Sequence, residues 1–440
     1  MKSQWSDSEL QKVLLAAKKV DQNTDIATRV YTTRLLGCDP ELVLHGGGNT
    51  SVKTVTKTMD GTLVNSICVK GSGWDMGTIE SAGLPALELE PLRDLVQMDT
   101  LSDIDMVREQ RQLLLDSSSP NPSVEAILHA LIPAKYVDHT HANAVVAITN
   151  QPEGEKLIRE LYSDSIIVPY VMPGFDLAKT CARYLADNPN ATSMVLMKHG
   201  IFTWSDDART AYEEMIELVD RAEKKLAEGN STPFRSVDIP KNLATPAQIV
   251  PLLREALAQP PSLDGKANRL IMVHRANEEI LHFCNAENLP SLVSRGNATP
   301  EHVIRIKRKG VALRAPEPDK LVAFFNDVKV AVSAYIEDYK NYFERNNKRA
   351  GGALKMLDPV PCVFYIAGVG LFAVGKSLKA AEVAADIVEA TINVITKAEG
   401  MDAFEPLNEE DLFDLEYWSL EQIKLSPQVA LVTGAAGGMG

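Results

Sequence analysis

The sequence predicts an α/β protein of two domains, in an α+β or a layered α/β/α arrangement, with the opening strand of a third at its end. Three observations lead there. The chain has 440 residues, more than one ordinary core accommodates. Strand-like and helix-like segments mix without regular alternation. A run carrying Gly229, Pro233, Pro240 and Pro246 separates two structured stretches, setting a boundary near residue 230 and domains of 1–230 and 231–425.

Taken in order, residues 8–37 read as amphipathic helix, broken near Gly37 and Pro40. Residues 42–55 read as strand, glycine-rich turn, strand, and 63–76 as a strand ending in Gly71-Ser72-Gly73. A polar stretch at 114–126 leads into an apolar helix, with Ser123 as its N-cap. Residues 134–149 are a strand running into a helix, and 165–186 a strand, a Pro-Gly turn and a helix. Residues 193–227 form a strand hairpin followed by a long helix. Further helices and strands continue through residue 425. Residues 195–221 align without gaps onto 365–391, an offset of 170: Gly200 meets Gly370, Phe202 meets Phe372, and His199 falls opposite Val369. Either strand–helix units resemble one another generically, or a domain is duplicated.

Composition excludes several classes. The chain is 45% hydrophobic and 24% charged, with no apolar run of membrane-spanning length and an N-terminus unlike a signal peptide. Its net charge of −14 argues against a nucleic-acid partner. The five cysteines, Cys38, Cys68, Cys181, Cys284 and Cys362, are odd in number and widely spaced. They read as buried free thiols in a reducing cytoplasm, so a metal site must use histidine and carboxylate.

His139 and His141 flank one residue at a strand end, where alternation puts both imidazoles on one face. His199, followed by Gly200, sits at another strand end. Three neutral imidazoles leave one position of a tetrahedral ion open, as catalytic zinc needs. Glu125 precedes the apolar helix, and His129 shares its face as a packed histidine, an outer partner or a ligand. Residues 231–425 contain no His-x-His pair, so a duplicated half would have lost its metal site. The turns Gly46-Gly47-Gly48-Asn49 and Gly71-Ser72-Gly73 bring backbone N–H groups close to an anion, and neither is a Walker A loop. With Ser123 they would suit a phosphate held beside a metal; Lys70 could add charge there, a solvated strand-end lysine being its default reading.

HGGGNTSVK, VKGSGWDM, PSVEAILHAL, VDHTHANAV, YVMPGFDLAK and LMKHGIFTW occur in the order found in class II aldolases and adducin heads. With PCVFYIAGVGLFAVGKS and DLFDLEYWSLEQIKL, the chain resembles the bifunctional rhamnulose-1-phosphate aldolase/short-chain dehydrogenase proteins over nearly its whole length. The resemblance implies a layered α/β/α aldolase-like domain followed by a second, possibly duplicated, aldolase-like α/β domain without the ligands. It implies a Zn2+ cofactor on His139, His141 and His199, Glu125 as catalytic acid/base, and phosphate contacts from Gly48, Asn49, Ser72, Gly73 and Ser123. The expected reaction is cleavage of a ketose 1-phosphate, such as rhamnulose 1-phosphate, to dihydroxyacetone phosphate and lactaldehyde by a cytoplasmic homo-oligomer. Val124 and Gly46 depart from the pattern, each removing one potential phosphate ligand. Epimerisation or dehydration of a sugar phosphate on the same zinc, and a non-catalytic adducin-like module, are the alternatives. Residues 429–440, VALVTGAAGGMG, fit a strand and the TGxxxGxG turn of short-chain dehydrogenases. There Gly434, Gly438 and Gly440 would approach a nucleotide pyrophosphate. The reading is a Rossmann domain cut at residues 426–440, with NAD(P) binding expected only of a full-length form.

Overall fold

The computed structural model describes residues 1–258 and 270–420. The glycine turn with Gly434, Gly438 and Gly440 lies outside the described residues. Among the described residues, eleven strands build two sheets. In the first half they are β1 (Asn49–Lys57), β2 (Leu63–Val69), β3 (Ala86–Glu88), β4 (Tyr136–Thr140), β5 (Ile166–Val168), β6 (Ser193–Leu196) and β7 (Gly200–Ser205). In the second they are β8 (Ile271–Arg275), β9 (Val311–Leu313), β10 (Val363–Ile366) and β11 (Gly370–Gly375).

The larger sheet runs β3-β2-β1-β4-β7-β6-β5, antiparallel except for β5 against β6. Alternation along β7 assigns its faces. Phe202 and Trp204 pack with Leu128 and Leu177 of the helices Ala126–Leu131 and Phe175–Asp187. Ile201 turns the other way, onto Tyr212 and Met215 of the helix Ala208–Leu226. That helix buries Ala211, Tyr212, Met215, Val219 and Ala222, one stripe at helical spacing. Helices therefore cover both faces, giving three layers.

The smaller sheet runs β8-β11-β10-β9. Its pairings are antiparallel, antiparallel and parallel, the same series as β4-β7-β6-β5. Adding 170 to the bounds of β6 and β7 gives those of β10 and β11; adding 135 to those of β4 gives β8. His274 then occupies the position of His139: it lies opposite Phe372 as His139 lies opposite Phe202. The counterparts of His141 and His199 are Ala276 and Val369. The two halves share one core, in which Val145, Ile148, Met215 and Val219 join Ala384, Ala385, Val388 and Ile395 of the helix Leu378–Met401.

Two local expectations are corrected. Residues 8–37 form two helices, Asp7–Lys19 and Thr24–Gly37. Asp21 enters the left-handed region at φ 53°, and Asn23 caps the second helix by accepting from the amides of Asp25 and Ile26. Residues 42–45 are turn rather than strand, with His45 at φ 49° and Gly48 at φ 58°. Leu42 and Val43 enter the core from this turn, so their apolar character reflects burial, not pairing. Cys68, Cys181 and Cys284 are buried free thiols as expected, whereas Cys362 is half-buried and Cys38 is exposed. Among the described residues, no helix is long and apolar enough to cross a membrane.

Candidate metal centre and anion cradle

The register of three neighbouring strands assembles the centre. Asn49 on β1 lies directly opposite His139 on β4, and His139 directly opposite Phe202 on β7. The His139 ring stacks on Phe202, centroids 4.0 Å apart. His141 follows the end of β4, and His199 sits in the turn joining β6 to β7. Gly200 lets that turn press against β4, since a Cβ there would sit 2.4 Å from the Thr140 carbonyl oxygen and 2.9 Å from the His139 ring. The His-Gly pair is thus a packing requirement as well as a chemical one.

The three histidines offer nitrogens that all lie within 4.8 Å of one another. His139 Nδ1–H donates to the Ile201 carbonyl at 3.1 Å, leaving the Nε2 lone pair on offer. His139 Nε2 and His141 Nε2 are 3.2 Å apart. Two nitrogens on one tetrahedral zinc at about 2.0–2.1 Å would be about 3.3 Å apart. Burial, then the neighbouring His141, holds the His139 imidazole well below its ordinary pKa, and burial pushes His199 down to about 3. Both rings are therefore neutral, as ligands must be.

Glu125 completes the group. Its Oε2 is 3.5 Å from His139 Nε2, and its Oε1 is 3.9 Å from His199 Nε2. Glu125 is 7% exposed, and among the described residues its Oε1 has no hydrogen-bond partner, nor does His199 Nδ1. Converging lone pairs and a buried carboxylate oxygen without a donor repel one another unless a cation lies among them. The residues present fit a divalent metal, and the donor set suits zinc.

Asn49 holds the carboxylate. Its Nδ2 donates to Glu125 Oε2 at 2.6 Å and to Ser123 Oγ at 3.0 Å. His129 is no ligand. Burial holds it neutral, so its Nε2–H donates to Asn49 Oδ1 while Nδ1 accepts from Ser51 Oγ at 2.9 Å. This chain of bonds dictates which end of the Asn49 amide faces Glu125. Ser123 is not the helix N-cap, which is Glu125; its Oγ accepts the Glu125 amide at 3.2 Å.

Gly46, Gly47, Gly48, Asn49, Ser72, Gly73, Ser123, Glu125, His141 and His199 line one pocket, with His139 fully buried behind them. A Cβ on Gly48 would lie 2.7 Å from the His139 carbonyl oxygen, so only glycine fits this turn. Lys70, expected to be solvated, is 2% exposed, and its Nζ donates to the Gly46 carbonyl at 2.9 Å. It ties one glycine turn to the other. The second half supplies the remaining wall through Pro300, Glu301, Ile304, Arg305, Leu415 and Trp418. The sequence predicts none of these, because no local pattern in that half marks them as facing the site.

Comparison with known proteins bears on this arrangement. Residues 27–226 match the class II aldolase and adducin N-terminal domain, and residues 244–425 match the class II aldolase second domain. An uncharacterized oxidoreductase, YuxG of Bacillus subtilis (strain 168), is 31% identical over 429 residues, covering 93% of this chain and 61% of its own length. The chain thus spans less than two thirds of that relative. The N-terminal class II aldolase domain of a conserved Thermoplasma acidophilum protein is 35% identical, covering 51% of this chain and 99% of its own, with a TM-score of 0.46. The l-fuculose-1-phosphate aldolase from Thermus thermophilus is 18% identical, covering 46% of this chain and 95% of its own, with a TM-score of 0.30. The two domain matches together take in most of the sequence, and the chain belongs to the class II aldolase/adducin family.

Proposed function

We propose that the chain is a zinc-dependent lyase that cleaves a ketose 1-phosphate, rhamnulose 1-phosphate being the leading substrate, to dihydroxyacetone phosphate and lactaldehyde. The observation that carries this reading is one pocket with three convergent histidines, a carboxylate oxygen without a donor among the described residues, and two glycine turns. His139, His141 and His199 would hold the ion. A bound zinc would supply Lewis-acid stabilisation of the charge that develops on the ketose oxygens as the C3–C4 bond breaks. Gly48, Asn49, Ser72, Gly73 and Ser123 bind and orient the phosphate. As the C4 hydroxyl gives up its proton and becomes the aldehyde carbonyl, Glu125 delivers one to C3 of the dihydroxyacetone phosphate half; in the condensation direction it removes the C3 proton and the aldehyde oxygen takes one up. The oxygen without a donor, Oε1, is the one free to carry that proton, since Oε2 is held by Asn49.

A homo-oligomeric state belongs to the same proposal, as does an NAD(P)-dependent oxidoreductase function of a full-length form. The latter is supported by the TGxxxGxG pattern at residues 433–440 and by the name of the Bacillus relative. We further read the second half as a duplicate of the first that has kept the fold and one histidine, on the strength of the matching strand series and of His274.

The test joins metal analysis to substrate profiling. The purified chain is expected to hold one zinc, which His139→Ala loses and His45→Ala keeps. Cleavage is followed by coupled reduction of dihydroxyacetone phosphate, with several ketose 1-phosphates compared. A zinc-loaded protein that cleaves none of them would refute the lyase reading.

A further inference from the structure

The pocket is walled on one side by the helix Pro300–Ile306 of the second half. Its position is set from beneath. Pro300 and His302, on either side of Glu301, are buried, and His302 Nδ1 meets Thr391 Oγ1 at 3.1 Å. Val303 joins Leu407, Leu412 and Leu415 in a small apolar cluster. From this seat Glu301 reaches across the glycine turn of the first half. A Cβ on Gly47 would sit 2.6 Å from Glu301 Oε2, so the missing side chain there leaves room for the carboxylate. Glu301 Oε2 stops 3.1 Å from His141 Nδ1.

The two nitrogens of the His141 ring are thereby assigned. Nδ1 meets Glu301, and Nε2 turns toward His139 Nε2. His139 uses the Ile201 carbonyl for the purpose that Glu301 serves at His141. A carboxylate on the distal nitrogen of a ligating imidazole sets its tautomer, fixes its rotation and strengthens it as a donor.

We propose that Glu301 is a positioning residue for the metal centre: it accepts the Nδ1–H of His141 and makes the metal affinity of the first half depend on the second. The second half retains only His274 of the equivalent trio, and instead delivers a carboxylate to its neighbour's site. The proposal rests on the reading of His139, His141 and His199 as metal ligands, and the experiment separates the two.

The metal-free protein is titrated with zinc against a chromogenic chelator, and with cobalt while its visible ligand-field bands are recorded. Glu301→Ala is expected to weaken zinc roughly 10–100-fold and to alter the cobalt bands. Glu301→Gln is expected to fall between it and wild type, because an amide oxygen still accepts from Nδ1. Lys397→Ala removes an ion pair between the halves, Lys397 to Glu41 at 3.2 Å. It controls for loosened docking and should bind zinc within about twofold of wild type. Thermal unfolding of each metal-free variant reports folding apart from metal. Glu301→Ala binding zinc as wild type does would overturn the proposal, as would an equal loss in Lys397→Ala. Wild type that binds no zinc would overturn the ligand assignment itself.

Discussion

Glu125→Gln is expected to lower aldol cleavage roughly 10²–10⁴-fold, the usual range for a general acid–base group, with zinc content unchanged. Glutamine is close to isosteric, so its oxygen can take over the hydrogen bond from Asn49 Nδ2 that Oε2 now accepts at 2.6 Å. The ion should stay, because the ligands proposed for it are imidazoles and the carboxylate oxygens stand 3.5 and 3.9 Å from the nearest of them. What is lost is a group that can hold a proton at C3. The fall should appear in kcat far more than in KM. A half-reaction isolates the step: wild type should exchange the C3 proton of dihydroxyacetone phosphate with deuterated solvent, seen by NMR, and the variant should not. Equal cleavage by both proteins would remove Glu125 from the mechanism.

Asn49→Ala carries the same logic one bond outward. The amide is held between His129 and Glu125, so its loss frees the carboxylate to rotate and opens a gap beside Ser123. Cleavage should fall with zinc retained, and phosphate affinity should weaken, raising KM where Glu125→Gln does not.

How much of this was legible in the sequence depends on the range of each interaction. His139 and His141 were legible because a period of two puts alternate residues on one face of a strand. The hairpin was legible because its turn residues recur at a fixed offset, and Gly200 and Gly370 both begin strands. Lys70 was misread because its acceptor is the Gly46 carbonyl, which only the folded turn brings close. The break at residues 20–23 was hidden because apolar residues continue beyond it, and only the Asn23 cap marks the second start. Glu301 was invisible for a stronger reason. It meets His141 across the junction of two halves, and no local pattern encodes such a contact. His129 was weighed as a ligand because it shares a helix face with Glu125, but its partner Asn49 lies on another element.

Beneath the centre, Arg29→Met is expected to destabilise the fold by about 3–5 kcal/mol, the cost of leaving a buried charge unpaired. Arg29 and Asp138 are both fully buried, with Nη2 and Oδ1 2.5 Å apart. Arg29 Nη1 also donates to the carbonyls of Ser51 and Val137, at 3.3 and 3.4 Å, and so bridges β1 and β4. Those strands place Asn49 opposite His139, so the pair underlies the register of the site. Burial, opposed by Arg29, already raises the Asp138 carboxyl above its ordinary 3.8. A raised carboxyl favours the native state below 3.8 and loses that advantage as pH rises through the folded value. Removing Arg29 raises it further, so the penalty measured by urea unfolding should be smaller at acidic than at neutral pH. Arg29→Met combined with Asp138→Leu should recover most of the loss, since no charge is then stranded. If the single variant unfolds like wild type, the pair is not what holds β1 to β4, and the opposition of Asn49 and His139 must rest on the ladder alone.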